Sequence, residues 1–156
     1  MTNKTNSMMK IPLIVAAAVI IIRIILEHVG SPEAVNAVFG VAWLYFIIPV
    51  LFALQISKSG DSSPYKSLFI SLLLFAVYTR LMVFVTYMLA WWQQWQAPRF
   101  SLAQGGVVGE DVSAMQGLFI IPLRNAVFWI IFATLIGMLV GWITILIHKK
   151  KSGVKA

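Results

Sequence analysis

Four side chains are out of keeping with their surroundings. Arg23, Arg80 and Arg124 stand inside long apolar stretches, and Glu27 follows Arg23 by four residues, so those two share one face of any helix. An ionisable group in hydrocarbon is costly and by default has a partner or a function. Glu27 is the counter-ion for Arg23, but one carboxylate cannot neutralise three guanidinium groups. The planar fork of arginine suits carboxylate and phosphate oxygens in a way the point charge of lysine does not. The set Arg23, Glu27, Arg80 and Arg124 is therefore expected to hold an anionic group from outside the chain.

The chemistry that the remaining residues could support is limited. The chain has no cysteine, which excludes disulfides, thiol redox chemistry and thiolate ligands. His28 and His148 fall at opposite ends of their apolar stretches, so they cannot share a haem or a metal ion. No pair of carboxylates lies within the apolar stretches, which argues against a di-metal site or an acidic proton relay. Glu110 and Asp111 are adjacent but read as solvated loop residues, and no cofactor is expected.

Composition says what must position the arginines. Of 156 residues, 60% are hydrophobic and 11% charged, against about 25% charged in a typical soluble domain. Four apolar stretches, approximately 11–29, 35–56, 68–92 and 118–147, each exceed the roughly 20 residues needed to cross a hydrocarbon core. They must be helices, because lipid offers backbone amides no partner and the alternation of a barrel strand is absent. The first resembles a signal peptide in its lysines and apolar run. Arg23 and Glu27 stand where small residues should precede a cleavage site, so it is read as an uncleaved span. The expected fold is an all-α integral membrane protein, an antiparallel four-helix transmembrane bundle with both termini cytoplasmic, forming a single membrane domain over 1–156.

Orientation follows from the basic residues. All eight lysines fall on one side of a four-crossing chain, while the opposite connections carry Arg99, Glu33, Glu110 and Asp111. The positive-inside rule makes the lysine side cytoplasmic. The net charge of +7 thus points to anionic headgroups and not to nucleic acid. Counting 1.5 Å per residue from Lys10 and Lys66 puts Arg23 and Arg80 at nearly the same height, about 20 Å up, and Arg124 near the outer boundary.

Smaller features set further expectations. Pro49 should kink the second span by crowding the carbonyl of Tyr45, and Pro122 should sit in the first turn of the fourth. Trp91, Trp92 and Trp95 read as an interfacial belt, and the long outer connection 96–117 as a solvated loop or a docking loop. Ala133, Gly137 and Gly141 make a small-residue ridge suited either to packing within the bundle or to a partner membrane subunit or second copy. Together these features suggest a multi-pass plasma-membrane protein (the inner membrane in a bacterium). It would be a non-enzymatic accessory subunit or lipid-associated component gripping anionic lipid. A small transporter, or an enzyme acting on a lipid-linked phosphate or carboxylate, is the alternative.

Overall fold

In the computed structural model, which describes residues 2–151 and the side chains of 8–150, regular structure is entirely helical. Helix α1 covers Thr2–His28, α2 Glu33–Val38, α3 Leu44–Lys58, α4 Pro64–Gln93 and α5 Ile121–Lys151. Four helical segments are long and apolar enough to cross a membrane: Met8–His28, Glu33–Lys58, Pro64–Gln93 and Gln116–Lys150.

The helix ends follow from local chemistry. At the end of α1, Gly30 adopts φ 75°, and the amide of Ser31 donates to Leu26 O at 3.0 Å, closing the helix with a left-handed cap. Pro64 opens α4, where its missing amide costs nothing. Asp61 ties the preceding turn, accepting from the Ser63 amide at 2.8 Å and from Ser67 Oγ at 2.7 Å. Gln94 ends α4 in the left-handed region, and the Trp95 amide returns to Ala90 O at 3.0 Å.

The second span is interrupted before Pro49 is reached. It divides into α2 and α3 around Gly40 and a 3₁₀ turn, Val41–Trp43, whereas α3 runs through Pro49 as one helical segment. Gly40 weakens helix propensity locally, and a Cβ there would lie 3.5 Å from Arg23 Nη1 and 3.0 Å from Ala37 O. Pro49 instead contributes its ring to the core.

The core gathers where α3, α4 and α5 meet. Tyr45, Phe52, Leu68, Phe75 and Ile145 are almost completely enclosed. The small-residue ridge of α5 faces this core, with Ala133 buried. A Cβ on Gly137 would lie 3.2 Å from Pro49 Cγ, and one on Gly141 would lie 2.7 Å from Leu68 Cδ2. Leu68, Leu72 and Pro49 thus fill the ridge from within the chain. The outward faces of the long helices carry exposed Ile14, Ile21, Leu81, Val85, Ile131 and Leu135, an apolar surface that water would not tolerate and acyl chains would. The four spans together define a membrane protein.

The connection between α4 and the last span is folded. Pro98–Phe100 and Leu102–Gln104 form 3₁₀ turns, the Val108 amide donates to Phe100 O at 2.7 Å, and the Leu102 amide donates to Val108 O at 2.8 Å. Phe100 and Val107 are fully buried, and Gly106 crosses so close to the Phe100 backbone that no side chain would fit there. Trp92 is exposed. Trp91 turns inward: its ring lies against Gly117, where the last span begins with a π-helical turn, Gln116–Ile120, before Pro122 enters the first turn of α5.

Candidate anion-binding site

The site is built on three intact helices, α1, α4 and α5, the break in the second span and the connection between α4 and the last span. Arg23 and Glu27 occupy successive turns of α1, and Arg23 Nε donates to Glu27 Oε1 at 2.9 Å. The same oxygen lies 2.9 Å from Arg99 Nε, brought there by the 3₁₀ turn Pro98–Phe100. The Arg99 N–H does not point along that line, so this second contact is an ion pair without hydrogen-bond geometry. The Glu27 side chain is only 3% exposed, against 23% for Arg23 and 18% for Arg99, so the carboxylate is the enclosed centre of a +/−/+ triad.

Arg80 arrives from α4 and is 6% exposed. Its Nε donates to Tyr45 Oη at 2.7 Å, and its guanidinium carbon stands 4.7 Å from the ring centre of Trp129 and 5.2 Å from that of Tyr45. Two aromatic faces and a phenol oxygen hold the cation in place, and among the described residues no carboxylate forms an ion pair with it. Arg99 lies over the ring of Phe100 at 4.2 Å, so it too is braced by an aromatic face. Burial pushes the Arg99 guanidinium below its ordinary pKa, Glu27 pulls it back up, and the neighbouring Arg23 adds to the downward push. Arginine stays protonated throughout.

Arg23, Arg80 and Arg99 converge on one cavity of about 150 Å³, also lined by Gly40, Tyr87 and Asn125. Three cations and the single carboxylate Glu27 leave a formal excess of two positive charges around it. The volume is below the roughly 300–1,000 Å³ of a drug-sized pocket and suits a single carboxylate or phosphate group. Two aromatic rings and Gly40 set its limits. A Cβ at Gly40 would approach the Arg23 guanidinium that the cavity needs.

Arg124 is not part of this assembly. It is exposed on the outward side of α5, in a shallow apolar groove with Ile120, Leu123, Val127 and Phe128, while its neighbour Asn125 faces the cavity. One residue of helical rotation, about 100°, separates the two environments. Arg99 takes the third place that sequence spacing had given to Arg124. Its signal was the step Pro98-Arg99-Phe100, a cation fixed between a turn former and an aromatic anchor. Tyr45 and Trp129 were also missed, because nothing in linear spacing ties either to Arg80.

No protein-family model, curated protein sequence or solved structure matches the chain.

Proposed function

We propose that this chain is a small multi-pass component of the plasma membrane that binds the phosphate or carboxylate of an anionic lipid in its outer half. The observation that carries this reading is the meeting of Arg23, Arg80 and Arg99 on one small cavity with only Glu27 to balance them. Uncompensated buried charge costs several kcal/mol per ion, so a fold that keeps this arrangement is stabilised by an anion entering it.

The four spans run antiparallel in this reading, with both termini and the lysine-bearing ends in the cytoplasm and the connection 94–115 outside. Arg124 sits in its lipid-facing groove with its head drawn toward the headgroups and supplies no ligand contact. Anionic lipid is the partner. Association with a second copy or another subunit does not use the ridge of Ala133, Gly137 and Gly141, which Leu68, Leu72 and Pro49 occupy. A non-enzymatic role is favoured over catalysis because Oε1 of Glu27, the carboxylate at the site, is already engaged by two guanidinium groups.

The test is the lipid retained after gentle extraction. Exchanging Arg80 or Arg99 for glutamine lowers the co-purifying anionic lipid severalfold, and Arg124→Gln leaves it unchanged. Equal lipid content in all three variants would end the proposal.

A further inference from the structure

The arginine cavity offers more donors than the chain's own contacts use. Arg23 and Arg80 are each fixed through Nε, the first on Glu27 Oε1 at 2.9 Å and the second on Tyr45 Oη at 2.7 Å. Their Nη groups have no hydrogen-bond partner among the described residues and are not sealed off, and Arg23 Nη1 lies toward Gly40 in the cavity wall. Arg99 has Nε and Nη2 enclosed and keeps Nη1 open. Two neutral groups complete the wall. Tyr87 is 9% exposed, its ring packed edge-on against Phe100, yet its hydroxyl has no partner among the described residues, and neither has the Asn125 side-chain amide. Neither group is closed to the cavity. Five side chains, from α1, α4, α5 and the connection after α4, thus offer unmatched donors to one space of about 150 Å³. Polar groups enclosed without a partner are uncommon, and these call for an acceptor.

Charge and donor number together narrow the class of anion. Three guanidinium groups less the Glu27 carboxylate leave a formal excess of two positive charges. A carboxylate or a phosphodiester brings one negative charge and two free oxygens, so one positive charge and part of the donor set stay unmet. A phosphate monoester carries a charge of about −1.5 to −2 at neutral pH and three strong acceptor oxygens, which matches both.

We infer that the group held here is the terminal phosphate of a monoester, with Tyr87 and Asn125 as contacts beside Arg23, Arg80 and Arg99. Its source is a lipid of the phosphatidic-acid kind or a water-borne phosphomonoester. This rests on the proposed anion binding and adds the chemical class of the anion. A diester takes the same place less tightly, because one guanidinium charge is left without a counterpart.

The experiment is native mass spectrometry of the full chain in nanodiscs holding equal parts phosphatidic acid, phosphatidylglycerol, oleate and phosphatidylcholine. A mildly alkaline pH keeps the monoester doubly charged. Retention of phosphatidic acid over phosphatidylglycerol and over oleate by about tenfold, the equivalent of about 1.4 kcal/mol, is expected. Arg99→Gln lowers the formal excess to one charge and should bring phosphatidic acid down to the level of phosphatidylglycerol. Tyr87→Phe keeps the ring and every charge, and should narrow the preference by about threefold, the worth of one net hydrogen bond. It also keeps the test valid if Arg99→Gln does not fold. Equal retention of the three anionic lipids, all above phosphatidylcholine, overturns the monoester assignment and leaves anion binding standing. Equal retention of all four overturns anion binding as well. A phosphatidic acid preference that survives both variants unchanged overturns the placement in this cavity. Millimolar glycerol 3-phosphate separates the sources: displacement of phosphatidic acid by it supports a water-borne monoester, and phosphatidic acid retained in its presence supports a lipid.

Discussion

Arg99 and Glu27 meet at 2.9 Å, joining the connection after α4 to the end of the first span beside the arginine cavity. The contact makes the connection part of the site. Its anchor is Phe100, fully buried and packed edge-on against Tyr87 and Trp95 at ring separations of 5.2 and 5.5 Å. The packing of Phe100 thereby holds Arg99 at the cavity.

Phe100→Ala should expose this coupling. Loss of a fully enclosed aromatic side chain costs about 3–5 kcal/mol, and here the loss falls on the connection. Amide hydrogen exchange over 98–108 should rise strongly while the interiors of α3 and α4 stay protected, and retained anionic lipid should fall as Arg99 leaves its place. Unaltered exchange in that segment would contradict the packing described.

Tyr45→Phe separates the hydrogen bond to Arg80 from the aromatic contact. The ring remains, but Arg80 Nε loses its acceptor at 2.7 Å, and an unpaired buried donor costs about 1–3 kcal/mol. Thermal unfolding in neutral detergent should begin at lower temperature, and added anionic lipid should recover part of the loss by offering Arg80 another acceptor. A variant as stable as the parent without lipid would show that the phenol is not needed.

Gly141→Leu tests where the small-residue ridge points. The first added carbon would meet Leu68 Cδ2 at 2.7 Å, and overpacking of a tight core costs about 1–3 kcal/mol. The expected outcome is lower stability with an unchanged oligomeric state by crosslinking. A changed oligomeric state at undiminished stability would place a partner on the ridge.

Orientation is open to a chemical test because the chain has no cysteine of its own. Ser62→Cys and Glu110→Cys sit at exposed positions in different connections. A membrane-impermeant maleimide applied to intact cells should label the second and not the first, and the reverse pattern would invert the topology.

The four spans were readable from the chain because hydrophobic length is a local property that the bilayer makes decisive. Breaks and meetings are not local. Pro49 drew attention as a site for a kink, and α3 runs through it as one helical segment; the break at Gly40, where the missing side chain leaves room for Arg23, was not anticipated. The height estimate set Arg23 and Arg80 at one level, and both line one cavity, but height says nothing about the direction in which a side chain points. Arg124 was grouped with them as a third arginine within an apolar stretch, and it faces the other way. Arg99 was counted among loop charges because only the burial of Phe100, a tertiary event, turns it inward.

The most direct test is a distance between nitrogen and phosphorus. With ¹⁵N-labelled arginine and phosphatidylglycerol bilayers, dipolar recoupling in the solid state should detect ³¹P within roughly 4 Å of guanidinium nitrogens, the separation set by a charge-assisted N–H···O–P contact. That dephasing should weaken when Arg80 and Arg99 are exchanged for glutamine and persist in Arg124→Gln. Dephasing that disappears only with Arg124, or that is absent altogether, would contradict a lipid phosphate held by Arg23, Arg80 and Arg99.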